Sequence, residues 1–185
     1  YVQTTPKLLS GLEREVTTVT VGGSHACFLK NSKVYCWGNT GAGQVGSGTS
    51  GIEYGSKEVS ELKDVTVTAI SARSNRTCAM VKGGGVKCWG FNGRGELGVA
   101  TVGNNYKPQD VVGLSSGVAQ LALGYRHTCA KMTAGAVKCW GQNDYGEVGY
   151  NLGTDVSTST SGYAKIVKTP TEVPGLNGSE VASVA

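Results

Sequence analysis

Six cysteines set the register of a threefold internal repeat, and that repeat restricts the fold more than any other feature of the chain. Cys27, Cys78 and Cys129 stand 51 residues apart, and Cys36, Cys88 and Cys139 stand 52 and 51 apart. Each cysteine of the second set opens a Cys-Trp-Gly triplet, completed by Trp37-Gly38, Trp89-Gly90 and Trp140-Gly141. Each triplet is followed by a Gly-x-x-Gly string: Gly43-Gln44-Val45-Gly46, Gly95-Glu96-Leu97-Gly98 and Gly146-Glu147-Val148-Gly149. The units close on Leu62, Leu114 and Leu176. The pattern divides the chain into the tail of a preceding repeat (1–12), three repeats (13–62, 63–114 and 115–176), and the first strand of a following repeat (177–185). That is about 3.6 units of about 51 residues. Residue 1 is Tyr, so the chain reads as a processed form or a piece of something longer.

Within each unit the residues read as strands. Val16 to Val21 and Val65 to Ile70 are short β-branched runs. Phe28-Leu29, then Asn31-Ser32, then Val34-Tyr35 reads as a hairpin, and residues 79–87 and 130–138 repeat it around glycine-bearing turns. Gly fills 29 of 185 positions, about twice its usual share of roughly 7%. No stretch carries a helical period. Several short strands in a unit of this length fit a β-propeller blade better than a sandwich, so the fold class is all-β, with four-stranded blades in a partial or assembled propeller.

The cysteines read as hairpin staples. Folding each hairpin at its turn sets Cys27 opposite Cys36, Cys78 opposite Cys88, and Cys129 opposite Cys139, within the reach of a disulfide. Closing a loop of about ten residues contributes roughly 2.5–3 kcal/mol in the chain-entropy model. Such staples point to an oxidising, extracellular or periplasmic setting. Buried free thiols and a metal site are the alternatives, and no Cys-x-x-Cys spacing favours a metal.

The strings Gly22-Gly23-Ser24-His25-Ala26-Cys27, Val34-Tyr35-Cys36-Trp37-Gly38 and Gly43-Gln44-Val45-Gly46 resemble the regulator of chromosome condensation repeat family. The third repeat matches through residues 124–129, 137–141, Asn143 and 146–149. The second matches through Cys88-Trp89-Gly90-Phe91-Asn92 and 95–98. The second departs at Arg73, where the others have Gly22 and Gly124, and at Arg76, where they have His25 and His127. The resemblance covers nearly the whole chain and implies four-stranded propeller blades. Family members usually close a ring of about seven blades, more than 185 residues encode. It also implies that His25 and His127 are hydrogen-bonding straps within or between blades.

Candidates for catalysis are few. Two histidines without a matched nucleophile do not make a Ser/His or Cys/His site. The three tryptophans recur in register and read as blade packing. The plant ultraviolet receptor of this fold clusters extra tryptophans at an interface, and this chain has none to spare. The glycines at 41–43 and 83–85 lack the Lys-Ser/Thr of a phosphate loop. Glu96 and Glu147 share one repeat position with Gln44, which favours a structural hydrogen bond over acid/base work. No catalytic, cofactor or metal residue is assigned, and no enzyme activity is expected.

Charge and hydropathy narrow the partners. Seventeen Lys and Arg against thirteen Asp and Glu give +4 without a basic cluster, which does not argue for nucleic acid. No apolar run approaches the roughly 20 residues of a membrane-spanning helix. The third repeat carries about eleven extra residues within a Ser/Thr-rich loop at 150–169, a surface loop or a contact and glycan-bearing loop. Asn75 and Asn177 stand in glycosylation sequons.

Three functional expectations follow. The first is a non-enzymatic extracellular scaffold for protein contacts. It would self-assemble head to tail into a ring or filament as Glu180, Val181, Ala182, Ser183, Val184 and Ala185 add a strand to the next copy. The second is a fragment of a longer secreted propeller that binds another protein through one propeller face, as an inhibitor or adhesin does. The third, implied by the resemblance alone, is guanine nucleotide exchange on a small GTPase.

Overall fold

The computed structural model describes residues 15–150, 165–176 and 181–185. The putting-together of its strands is the same three times over. β1 (Val16–Val21), β2 (His25–Lys30), β3 (Lys33–Asn39) and β4 (Ile52–Glu58) form one antiparallel meander. β5 (Val67–Arg73), β6 (Arg76–Val81), β7 (Gly85–Gly90) and β8 (Asn105–Asp110) form the second. β9 (Val118–Leu123), β10 (His127–Met132), β11 (Val137–Gln142) and β12 (Ile166–Glu172) form the third. Among the described residues the one helical element is a single 3-10 turn at Ser60–Leu62. The all-β, blade-like architecture expected from the repeat is the architecture found.

Local chemistry explains the hairpins. Lys30 pairs with Lys33, so Asn31 and Ser32 alone make the first turn, both with positive φ (50° and 61°). This is the mirror-image turn that suits the twist of paired strands, and Asn tolerates it. The second hairpin turns on Gly83 and Gly84 at φ 90° and 80°. Cys27 faces Cys36, Cys78 faces Cys88 and Cys129 faces Cys139 in register, each with Cα atoms 4.1 Å apart, and all three pairs are disulfide-bonded. Every staple lies between the second and third strands of one blade.

The Cys-Trp-Gly triplet has a backbone reason as well. Pairing between the third and fourth strands slips at this point in all three blades, between Cys36 and Gly38, Cys88 and Gly90, and Cys139 and Gly141. The three glycines take φ of 108°, 105° and 107°. A Cβ there would meet the backbone oxygens of Ser24, Asn75 and Arg126 in the turn between the first two strands. Only glycine fits such a close approach at positive φ.

The core lies between blades more than within them. Val67 and Ile70 of the second blade pack with Cys27, Leu29, Cys36 and Val45 of the first, and Trp89 completes that cluster. Trp140 of the third blade joins Cys78, Cys88, Leu97 and Val118 in the next cluster. Val181 and Val184 pack against the third blade from outside. They stand at the repeat positions of Val67 and Ile70.

The strand expected over Glu180, Val181, Ala182, Ser183, Val184 and Ala185 does not form among its described members, 181–185. An innermost strand bonds within its own sheet only to the second strand of its blade, and 181–185 has no such neighbour among the described residues. The segment is held instead by Lys131 Nζ donating to the Ala182 carbonyl (2.9 Å) and by the Val184 amide donating to Gln120 Oε1 (3.1 Å). Glu180, Asn177, the tail 1–12 and residues 151–164 of the inserted loop lie outside the described residues.

Candidate functional site

The functional geometry is a clasp repeated at each joint between blades. The string Gly-x-x-Gly forms the receiving half. Its middle carboxamide or carboxylate ties down its own loop: Gln44 Oε1 accepts from the Ala42 amide, Glu96 Oε2 from Arg94, and Glu147 Oε2 from Tyr145. These three side chains are loop staples, as their shared repeat position suggests. Val45, Leu97 and Val148 anchor the loops in the core.

At the first joint the Gln44 carbonyl accepts two bonds from the second blade, from Thr77 Oγ1 (2.9 Å) and from the Trp89 indole (3.0 Å). His25 Nε2 lies 2.8 Å from the same Thr77 hydroxyl. The hydroxyl proton points at Gln44, so Nε2 carries a proton and donates to Thr77. At the second joint the Glu96 carbonyl accepts from Thr128 Oγ1 (3.0 Å) and the Trp140 indole (2.8 Å). At both joints the final glycine of the string lies under the incoming indole, where a Cβ on Gly46 or Gly98 would press on Trp89 or Trp140.

The second joint replaces histidine by arginine. Arg76 donates from Nη1 to the Tyr125 carbonyl (2.9 Å) and from Nη2 to the carbonyls of Gly124 (2.7 Å) and His127 (2.5 Å). It is buried, and so is Glu96. Burial lowers the guanidinium to about 10 and the charge of Glu96 opposes the shift, so Arg76 stays ionised at neutral pH. Burial raises the Glu96 carboxyl, against the pull of its hydrogen bonds and of Arg76.

Burial also lowers His25 to about 4. Its folded value lies below its ordinary 6.5, so the unfolded chain takes up a proton that the folded chain refuses. The resulting stability is complete above pH 6.5 and is lost as the pH falls towards 4, by at most about 3 kcal/mol. His25→Gln removes this dependence. The stability gap between wild type and His25→Gln in urea should narrow by about 1–3 kcal/mol between pH 7 and pH 4. A gap that does not move with pH would show that His25 is not held neutral.

The two end faces are the two halves of this clasp. Beyond the third blade, Glu147 and Val148 line an apolar groove of about 340 Å³ with His127, Cys139, Val173 and Val184. No described residue donates to the Glu147 carbonyl. On the first blade, Val19 and Val21 are 61% and 67% exposed, where their counterparts Ile70 and Ala72 are buried. The Trp37 indole packs near Phe28, with ring centroids 6.0 Å apart, and donates to no described residue. One part is missing. Ala26 stands at the repeat position of Thr77 and Thr128.

Of the glycosylation candidates, Asn75 is exposed in the turn between β5 and β6, and the hydroxyl of its sequon, Thr77, is buried in the first joint. Among the described residues no cluster of His, Cys, Asp and Glu could hold a metal ion, and no helix is long and apolar enough to cross a membrane.

Disulfide-stapled blades, joined by tryptophans that reach into the preceding blade, define a repeat β-propeller architecture. The chain belongs to the regulator of chromosome condensation (RCC1) repeat family: models of this repeat match residues 16–44, 83–130 and 118–147, together just over half of the chain. It is 28% identical over 154 residues to the ultraviolet-B receptor UVR8 of Arabidopsis thaliana, covering 81% of this chain and 35% of the receptor. It is 30% identical over 188 residues to the human E3 ubiquitin-protein ligase HERC2, covering 99% of this chain and 4% of the ligase. Prp20p of Saccharomyces cerevisiae, whose structure was described with its binding to Gsp1p and histones, superposes with a TM-score of 0.79 at 23% identity. That match covers 94% of this chain and 42% of Prp20p. Human WBSCR16 superposes with a TM-score of 0.72 at 24% identity, covering 86% of this chain and 38% of that one. The chain thus spans about a third or less of the length of these curated relatives.

Proposed function

We propose that this chain is a non-enzymatic extracellular scaffold for protein contacts whose copies join head to tail, the first blade of one copy seating on the third blade of the next. The observation that carries this reading is the complementarity of the end faces. Trp37 on one face answers the Glu147 carbonyl on the other, and Val19 stands at the repeat position that Val184 fills against the third blade, so joining exchanges residues 181–185 for the first strand of the incoming copy. Three disulfides suit an oxidising compartment. A joint between copies is weaker than an internal one, because Ala26 offers no hydroxyl to Glu147 or His127.

Light scattering across a concentration series tests this. The mass should rise above 19.1 kDa with concentration, Trp37→Ala should abolish the rise, and Ala26→Thr should bring it on at about tenfold lower concentration. A monomer at every concentration, for wild type and Ala26→Thr alike, would overturn self-assembly. The second reading, a segment of a longer partner-binding propeller, is favoured by the small share of its relatives that the chain spans. Guanine nucleotide exchange gains no support from the site: its repeated geometry is a structural clasp, and the disulfides argue for a compartment other than the cytosol or nucleus.

A further inference from the structure

We propose that Arg73, Tyr125 and Arg126, gathered around the turn Ser74-Asn75, form a docking site for an acidic peptide segment of a partner protein. The site names a partner chemistry for the scaffold reading and rests on it, but its charged and aromatic residues lie apart from Trp37 and Ala26 of the proposed copy-to-copy joint, with which it shares the wall at Val21.

The cluster comes from the turns between the first and second strands of the second and third blades. Two cavities meet there and share Ser74, Asn75 and Tyr125 as a common wall. One, about 140 Å³, is lined further by Arg76, Phe91 and Arg126. The other, about 530 Å³, is lined further by Arg73 and by Val21, Gly22 and Gly23 of the first blade. Arg126 stacks over the Tyr125 ring at 5.5 Å, which holds its guanidinium beside the opening. Tyr125 is 64% exposed.

Charge supplies the argument for an acidic partner. Arg94, Lys33, Lys57, Lys63, Lys87 and Lys107 all pair with a carboxylate. Arg73 and Arg126 pair with none among the described residues. A third guanidinium, Arg76, lies beneath them, close enough that the charge of Arg73 is felt there. Its Nε is buried and has no hydrogen-bond partner. The counter-charge felt at Arg76 is Glu96, which is fully buried and whose ionised form burial disfavours. One exposed and one half-buried planar donor, Arg73 and Arg126, beside a clustered positive charge and two aromatic walls, Phe91 and Tyr125, fit carboxylates on a flexible chain. Asp and Glu side chains of an extended peptide reach such paired openings without a folded interface.

The test is fluorescence anisotropy with labelled hexaglutamate, using hexaglutamine and a six-nucleotide oligothymidylate as comparisons, on wild type and on Trp37→Ala. Both proteins should bind hexaglutamate, because head-to-tail joining is not required. Hexaglutamine should bind at least about tenfold more weakly. Arg73→Gln and Arg126→Gln should each weaken hexaglutamate binding about five- to tenfold. The single change Lys82→Ala, which removes the same one charge away from this cluster, should alter it less than about twofold. Arg73 is exposed and makes no side-chain hydrogen bond or ion pair among the described residues, so its variant reads binding even if Arg126→Gln folds poorly. Equal losses in the arginine and lysine variants, no binding of hexaglutamate up to about 1 mM, or tighter binding of oligothymidylate would each overturn the proposal. The last would assign the turns to a phosphate backbone.

Discussion

Trp89→Ala should lower the stability of the folded chain by about 4 kcal/mol, and Trp37→Ala by less than about 1 kcal/mol. The two tryptophans occupy the same place in the repeat, and only their surroundings differ. Trp89 is fully buried, packs in the cluster of the preceding blade, and donates to the Gln44 carbonyl. Truncation opens a cavity at the joint and leaves that carbonyl one donor short. Trp37 faces no preceding blade among the described residues and has no acceptor. Urea unfolding at neutral pH reads the difference, and in a thermal scan it is a shift of roughly 10 °C for a domain of this size. Equal effects at the two positions would mean that the indole works inside its own blade, and the joint described above would be wrong.

Arg76→Met should destabilise by about 3–5 kcal/mol, as removal of one partner from a buried charged cluster does. The carbonyls of Gly124, Tyr125 and His127 each lose a donor. Glu96 also loses the cation that favours its charged form, so its carboxyl rises further. Arg76→His should recover part of the loss. Thr128 stands at the repeat position of Thr77, and the substituted ring would find the hydroxyl that His25 finds. Denaturant titration of the three proteins decides it. If Arg76→His were no better than Arg76→Met, the histidine clasp of the first joint would not be transferable.

The sequence was legible where repetition and local chemistry agree. Cysteine spacing and turn residues locate each second and third strand, because those strands carry apolar residues, an Asn- or Gly-bearing turn and a staple at once. The fourth strands were not located. Ile52–Glu58 and Asn105–Asp110 are polar and largely exposed, so they carry no alternation of apolar and polar residues for the eye to find. Their place is fixed by pairing to the third strand across the slip at Gly38 and Gly90. Arg76 stood out as a departure from the repeat, but not as a clasp. Its acceptors are main-chain oxygens some fifty residues away, and no sequence pattern marks a carbonyl. The same holds for the Glu147 groove, built from a third blade whose members are each unremarkable in sequence. Tyr125 and Arg73 lie at positions where the repeats disagree, and a search for matching residues passes over them.

Every disulfide lies inside a blade and none crosses a joint. Pulled from its two ends, the molecule would therefore part first at its non-covalent seams and release blades as intact beads. Stretching a freed blade further meets a covalent stop, since the eight or nine residues between paired cysteines stay out of the extension. At about 3.4 Å per residue, each staple withholds roughly 30 Å of reach. Reduction would turn a stiff, stepwise tether into a longer and softer one without loosening a single seam.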